Sequence, residues 1–260
     1  MILLDANAWL GHYPFRHVEN TTPDGLLRLM DKHQIETAVV SSLHPVFYRD
    51  PQPGNEELAR WVAPHRDRLI PCATLNPTYP GWERDLRQCC EEWDFRSLRL
   101  FPTYHNYRLA GPECRELVQA ATARGLHVAI PLRLEDQRGR HWMDTAKEVS
   151  LTDVADLARA CPEAEILVLE ALGVENSPFV RDPSLAEARV SFEFSRMATV
   201  LQQTIPRLLE TLGPERLVFG TGMPLKYGKA ALLKLELLEA PPATKERLAH
   251  GNMERLLGRP

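Results

Sequence analysis

The sequence predicts an α/β fold, a (β/α)8 (TIM) barrel that forms one domain over residues 1–260. Eight short apolar runs alternate with helical patterns, and repeated strand–helix alternation is typical of a parallel sheet. Eight such units in about 250 residues have the size of a closed barrel. An open doubly wound sheet would need a glycine-rich phosphate loop after the first strand, and no such loop is found there.

The strands are predicted from short apolar runs without alternation, which suit strands covered on both faces. The clearest run is Leu217-Val218-Phe219, which opens into a loop that contains Gly220 and Gly222. Small-residue loops at strand ends are where parallel α/β proteins usually place their chemistry. The eight strands are predicted at residues 2–6, 37–40, 69–74, 97–101, 127–132, 166–169, 188–194 and 217–219.

Capping residues and helix breakers locate the helices between these strands. A helix is predicted from Asp24, and we expect Asn55 to cap the next one and Thr152 to cap a later one. Pro112 suits the first position of a further helix that Gly125 ends. Helices are predicted at residues 55–62, 79–93, 112–124, 152–161, 229–238 and 244–257. A further helix follows the seventh strand and ends at about residue 212, and residues 173–184 are predicted to form a polar connection.

Composition and charge exclude several classes of protein. The net charge of −4 gives no general attraction to nucleic acid or to an anionic membrane. No apolar run reaches the roughly 18 residues of a membrane span. Five cysteines without Cys-x-x-Cys spacing favour free thiols in a reducing compartment. We therefore expect a cytoplasmic protein whose partner is a small molecule, and homo-oligomerisation is left open.

Several segments, in order along the chain, resemble motifs of the amidohydrolase-related family. LDANAWLG at 4–11 is similar to IDAHAHLG, and LEALG at 169–173 is similar to LAHLG. RLVFGTGMP at 216–224 is similar to RLLFGSDYP, and GNMERLLG at 251–258 is similar to the terminal GNAxRLLG. The resemblance spans nearly the whole chain and implies a metal-dependent TIM-barrel hydrolase.

The metal ligands of that family have no counterparts in this sequence. In the family, His-x-His on the first strand and histidines on the fifth and sixth hold the metal, and an aspartate on the eighth activates water. A catalytic metal needs such imidazole or carboxylate ligands. The single amide oxygen of an asparagine does not hold a transition metal. We therefore predict a divergent member without metal or other cofactor. The matching positions are Asn7, Trp9, Pro131, Ala171 and Gly222.

Other polar residues lie where the predicted strands end, at the barrel mouth. Arginines there suit an anionic group, and glutamates and a histidine suit proton transfer. The predicted catalytic residues are Glu170, Glu193 and His105, and the predicted substrate-binding residues are Asn7, Arg99, Tyr104 and Arg133.

Three functions fit these residues. The first is a metal-free hydrolase or lyase that acts on a small organic acid, amide or lactone, and its substrate or ligand is expected to be an anion. The second is a catalytically inactive barrel that binds a ligand or serves as a scaffold, with the charges paired to seal the mouth. An open polar pocket would favour the first, and a mouth plugged by Trp9 and Tyr104 the second. The third is a metal hydrolase with a displaced site built from His12, His17 and His44.

Overall fold

Eight parallel strands in chain order form the centre of the protein in the computed structural model, which describes residues 1–258. Each strand pairs in parallel with the next one along the chain. The strands are β1 (Leu4–Leu10), β2 (Thr37–Ser42), β3 (Leu69–Thr74), β4 (Ser97–Arg99), β5 (His127–Pro131), β6 (Ile166–Leu169), β7 (Val190–Glu193) and β8 (Leu217–Val218).

Backbone hydrogen bonds join β1 to the segment that follows β8. Ala6 N–H donates to the carbonyl of Phe219 at 3.0 Å, and Gly222 N–H donates to the carbonyl of Asn7 at 2.7 Å. Trp9 N–H donates to the carbonyl of Met223 at 2.8 Å. These bonds bring the two ends of the sheet together, and the predicted (β/α)8 barrel is confirmed.

Helices follow the strands and cover the outside of the sheet. Buried apolar residues of most of these helices form a continuous core with the outward side chains of the strands. Within residues 1–258, no helix combines the length and apolarity needed to span a membrane. The α-helices are α1 (Pro23–Lys32), α2 (Gln52–Val62), α3 (Trp82–Arg87), α4 (Pro112–Thr122), α5 (Leu151–Ala160), α6 (Pro178–Arg181), α7 (Thr204–Leu212), α8 (Gly228–Leu237), α9 (Pro242–Glu246) and α10 (Asn252–Leu256).

Two predicted helix caps are wrong. Helix α2 begins at Gln52, so Asn55 lies inside it. Its side chain instead exchanges two hydrogen bonds with the backbone of Thr74, at 2.8 and 2.9 Å, and so ties α2 to β3. Helix α5 is capped by Ser150, two residues before the predicted Thr152, in a reciprocal capping box with Asp153.

The predicted helices 79–93 and 244–257 are each divided into shorter pieces. Helix α3 starts only after Gly81, whose φ of +92° is left-handed, and continues as a π-helix over Gln88–Glu92. A second π-helix, Arg247–Gly251, separates α9 from α10. Met253 and Leu256 of α10 pack with Leu4 and Ile70, which lie at the starts of their strands. Helix α10 therefore covers the amino-terminal end of the barrel, and the opposite end remains for a site.

Candidate functional site

Two buried carboxylates lie side by side where β6 and β7 end. Glu170 directly follows β6 and is 4% exposed, and Glu193 is the last residue of β7 and is fully buried. The amide nitrogen of Asn7, on β1, lies 3.5 Å from Glu170 Oε1 and 3.4 Å from Glu193 Oε2. Three of the predicted site residues, separated by up to 186 positions along the chain, are therefore in contact.

Glu193 accepts hydrogen bonds from several donors. Its Oε2 accepts from the backbone N–H of Glu170 and from Ser195 Oγ, both at 3.0 Å. Its Oε1 accepts from the backbone N–H of Ser195. Both carboxylate oxygens of Glu193 are therefore held by donors within the described residues, next to Glu170.

Glu170 is the carboxyl group of the pair whose pKa is raised. Burial raises its pKa to about 7, and the charge of Glu193 acts in the same direction, while Lys226 and Arg196 oppose them. Arg196 Nη1 lies 3.9 Å from Glu170 Oε2, which has no hydrogen-bond partner within residues 1–258. A carboxyl group with a pKa near the working pH is suited to general acid–base chemistry.

Two glycines after β8 make room for the carboxylate pair. A Cβ atom on Gly222, which has a φ of +73°, would lie 2.7 Å from Lys226 Cγ and 3.0 Å from Glu170 Oε1. A Cβ atom on Gly220 would lie 2.5 Å from Glu193 Cγ. The space at the position of the family's aspartate is therefore filled by the side chains of Lys226 and Glu170.

Arg99 provides a positive charge inside the barrel. It is fully buried, its Nη1 donates to Asn7 Oδ1 at 3.3 Å, and its guanidinium lies 4.3 Å from the centre of the Trp9 ring. Burial lowers the pKa of Arg99, while the charges of Asp5 and Glu193 counteract this effect. Arg99 thus holds Asn7 in the orientation in which its amide nitrogen faces both glutamates.

Asp5 is a buried acid that the sequence reasoning missed. Burial raises its pKa to about 7. Its Oδ1 accepts from the backbone N–H groups of Asn7 and Thr221 at 2.9 Å, and its Oδ2 accepts from Thr221 Oγ1. A charged residue in an otherwise apolar first strand was the available signal. Asp5 fixes the backbone on both sides of the barrel seam and so supports Asn7.

The remaining predicted site residues do not contact the carboxylate pair. His105 is buried and its Nε2 lies 3.0 Å from the carbonyl of Pro45, so it packs in the loop that follows β4. Tyr104 donates its hydroxyl to the carboxylate of Asp144 at 3.1–3.2 Å. These contacts give His105 and Tyr104 structural partners in the described chain.

Arg133 does not meet Arg99. Its Nη1 pairs with Glu148 at 2.9 Å and its Nη2 with Asp136 at 3.3 Å, on the connection between β5 and α5. Arg99 in contrast points into the barrel. The prediction did not assign Lys226 and Arg196 to the site. These two cations lower the pKa of Glu170 more than any other cation does.

The side chains at the mouth do not match the ligand set of a catalytic divalent metal. Among residues 1–258, no group of three or more His, Cys, Asp or Glu side chains is placed to share a metal ion. His44, proposed for a displaced site, binds Glu57 through Nδ1 at 2.6 Å and accepts the backbone N–H of His12 through Nε2. Both of its ring nitrogens therefore have protein partners.

A cleft of about 1300 Å³ opens beside the carboxylate pair. Arg196 and Lys226 line it and link it to Glu170. Its lining contains six cationic and three anionic side chains, together with two histidines, in a chain of net charge −4. The charged lining residues are Arg16, Lys32, Arg138, Arg196, Lys226, Lys229, Glu19, Glu135 and Asp136.

An apolar cluster covers the other part of the mouth, above Arg99. Trp9 contacts Arg99, and its ring lies 6.0 Å from that of Phe101. Leu134 and Leu225 belong to the same buried cluster. The apolar cluster therefore covers Arg99, whereas Arg196 and Lys226, the cations next to Glu170, line the cleft.

The family profile described as amidohydrolase matches residues 22–259 of the sequence. Comparison with curated proteins found no match. Together with the barrel and its motifs, the profile match covers most of the chain.

Three solved structures are similar to the whole chain. A 5-carboxyvanillate decarboxylase from Sphingomonas paucimobilis is 14% identical, with 100% of this chain and 99% of that chain covered and a TM-score of 0.73. A 2,6-dihydroxybenzoate decarboxylase from Rhizobium is 16% identical, with 99% and 98% covered and a TM-score of 0.75. A dihydroxybenzoic acid decarboxylase from Polaromonas sp. JS666, with bound manganese and the inhibitor 2-nitroresorcinol, is 16% identical, with 99% and 97% covered and a TM-score of 0.72. At this identity the likeness shows the fold alone.

Proposed function

Because the chain belongs to the amidohydrolase family, we propose that it is a lyase or hydrolase of small organic anions that works without the metal typical of that family. The observation that carries the proposal is the pair Glu170 and Glu193, bridged by Asn7, beside the cationic cleft. Pairs of carboxyl groups whose environments give them different pKa values are a recurrent basis of acid–base catalysis.

In this proposal Glu170 moves the proton and Glu193 does not. Glu193 accepts hydrogen bonds from Ser195 and from the backbone N–H of Glu170. Burial and the charge of Glu193 keep the proton on Glu170 up to about neutral pH. Asn7, held by Arg99, fixes the distance between the two carboxyl groups. Lys226 and Arg196 attract the anionic substrate.

The similar structures favour a lyase that acts on an organic acid. Their names describe decarboxylases of dihydroxybenzoate and 5-carboxyvanillate. In such a reaction the bond to the carboxylate breaks, carbon dioxide leaves, and the electron pair remains on the substrate carbon. Glu170 would then donate its proton to that carbon and regain one from water. For an amide or lactone, ionised Glu170 would instead remove a proton from the attacking water.

A catalytically inactive, ligand-binding barrel is the second candidate function. The apolar cluster of Trp9, Phe101, Leu134 and Leu225 favours it, because it separates Arg99 from solvent. In this case the charges near Glu170 would bind an anion without converting it.

Replacement of Glu170 tests the proposal. Wild-type protein, Glu170→Gln and the control Glu165→Gln are incubated, after chelator treatment, with aromatic and aliphatic carboxylates. Glu165 pairs with Arg255 outside the site and is a third exposed, so its removal should not affect turnover. Carbon dioxide release and products are followed by NMR in D2O, where the transferred proton appears as a C–D bond.

We expect Glu170→Gln to lower turnover by about 100-fold or more, which is the usual contribution of a general acid. Equal rates for wild type and Glu170→Gln would remove Glu170 from the reaction. Binding of the carboxylates by wild-type protein with no product would establish the inactive barrel instead.

A further inference from the structure

We propose that the cleft binds a dianion, such as a small dicarboxylate, through two cationic groups that flank Glu170. The first group is Arg16 with Lys226, and the second is Arg196 with Arg138. All four side chains line the cleft. The inference rests on the proposed function, because the same cleft would present the substrate to Glu170.

The first cationic group already holds one carboxylate of the protein. Glu135 Oε1 lies 2.7 Å from Arg16 Nη2, and Glu135 Oε2 lies 3.5 Å from Lys226 Nζ. Arg16 comes from the loop after β1, and Lys226 from the loop after β8. The two cations thus converge from neighbouring loops on the two oxygens of a single carboxylate, which is 11% exposed.

The second cationic group holds the next carboxylate along the chain. Asp136 Oδ2 lies 2.9 Å from Arg196 Nη2, and Asp136 Oδ1 lies 3.0 Å from Arg138 Nε. Hydrogen bonds from Arg138 and Arg196 hold the pKa of Asp136 well below its usual range. Arg133 adds a third contact at 3.3 Å. Each cationic group has therefore the geometry to bind a carboxylate.

Glu170 lies between the two groups. Arg196 Nη1 is 3.9 Å from Glu170 Oε2, and the side chain of Lys226 crosses Gly222 next to Glu170 Oε1. Glu170 is 4% exposed, and its Oε2 has no hydrogen-bond partner in the described chain. One cation of each group therefore lies next to Glu170, and a ligand that binds both groups would lie beside this residue.

The charge balance favours two negative charges on the ligand. Glu135 and Asp136 each offset one of the two positive charges of their group, and a monoanion could take the place of only one of these carboxylates. A dianion can take the place of both, and its second contact forms at high effective concentration once the first is made. The excess of six cationic over three anionic side chains disfavours a cationic ligand.

Titration calorimetry with matched pairs of acids tests the inference. The pairs are isophthalate against benzoate and glutarate against butyrate, with wild-type protein and with Glu170→Gln. We expect at least one dicarboxylate to bind about tenfold or more tightly than its monocarboxylate partner. This corresponds to about 1.4 kcal/mol. Equal affinities within both pairs would overturn the inference.

Variants of the two groups distinguish a binding site from salt bridges that only close the mouth. Lys226→Met and Arg138→Met should each reduce dicarboxylate affinity to that of the monocarboxylate. Arg159→Met serves as the control, because Arg159 pairs with Asp156 and Asp182 on the outer surface. The double variant Glu135→Gln, Asp136→Asn should bind the dicarboxylate more tightly, because it removes the competing carboxylates.

Unchanged or weaker binding by that double variant, with a native circular dichroism spectrum, would contradict the inference. Glu170→Gln should bind like wild type, because Glu170 does not hold the ligand. Failure of the dicarboxylate preference would therefore leave the turnover test of Glu170 standing, and loss of turnover without loss of binding would separate the two roles.

Discussion

Glu170 combines burial, an unusual backbone conformation and a carboxylate neighbour in one residue. Its φ of +54° is left-handed, which costs a non-glycine residue about 1 kcal/mol or more. Its backbone N–H donates to Glu193 Oε2 at 3.0 Å. The strained conformation is therefore held by the same residue whose charge raises the pKa of Glu170. Such conformations persist where the surroundings enforce them, often at functional sites.

The raised pKa of Glu170 makes stability depend on pH. The pKa is about 7 in the folded protein against an ordinary value of 4.5, so the unfolded chain loses this proton first as pH rises. Stability is therefore fully present below pH 4.5 and falls towards pH 7. Relative to Glu170→Gln, we expect wild-type protein to lose up to about 3 kcal/mol over this window, at about 1.4 kcal/mol per pH unit. Urea unfolding at pH 5, 6, 7 and 8 measures it, and parallel curves would refute it.

Arg99 is expected to contribute to stability as the buried cation of the site. Arg99→Met removes the charge that faces Asp5 and Glu193 and the donor to Asn7. Loss of one partner of a buried charge cluster costs about 3–5 kcal/mol. We expect a destabilisation of this order in urea unfolding, against less than about 1 kcal/mol for the exposed pair of Arg159. A difference between the two variants of less than about 1 kcal/mol would show that Arg99 is not coupled to the acids.

For individual residues, the sequence predicted which ones lie at strand ends but not which side chains they contact. Residue spacing and the resemblance indicated that Asn7 and Glu170 belong to the mouth, because the carboxyl ends of parallel strands meet at one end of a barrel. The roles assigned to these residues stay predictions. The path of Lys226 across Gly222 and the approach of Arg196 depend on loop conformation, which no periodic pattern encodes. His105 and Tyr104 have the residue types of a site but point to other partners.

Among the secondary-structure elements, strands were predicted better than helix ends. Strands β3 and β6 begin and end at the predicted residues, and each is a largely apolar run that directly follows a charged residue, Arg68 or Glu165. Helix ends depend on single side-chain hydrogen bonds, and several residues near a helix start can compete for that role. The capping box of Ser150 with Asp153 illustrates this point, since Thr152 has equivalent chemistry.

Substitutions at the start of α5 distinguish these two residues. Ser150 Oγ accepts the backbone N–H of Asp153 at 3.0 Å, and the side chain of Asp153 accepts from Ser150 in return. Ser150→Ala should therefore lower the free energy of unfolding by about 1 kcal/mol. Thr152→Ala should change it by less than about 0.5 kcal/mol. Equal losses in chemical denaturation would show that the cap is shared.

For the whole molecule, length and alternation were sufficient to predict a closed barrel. The seam is formed by backbone bonds between β1 and residues after β8, which any sequence of this periodicity can make. Which charged side chains reach the mouth could be determined only from the structure. There the positive charges come from Arg99, Arg196 and Lys226.

We therefore predict that the purified protein carries no stoichiometric divalent metal at the mouth. A catalytic zinc needs about three protein ligands, and the residues at the mouth do not supply them. Elemental analysis of protein prepared without chelator measures the metal content. Added manganese should leave the melting temperature unchanged within about 1 °C, whereas a bound ion would raise it. About one equivalent of metal, lost together with activity on chelation, would contradict this prediction.

The packing at Gly222 also constrains how this sequence could change over time. An aspartate there would place its Cβ atom 2.7 Å from Lys226 and 3.0 Å from Glu170. Position 222 therefore accepts an aspartate only if Lys226 is replaced by a smaller residue or moves away. Substitution of Lys226 alone would remove a cation beside Glu170. The two positions are therefore coupled, and a metal ligand can be introduced at position 222 only together with a change at position 226.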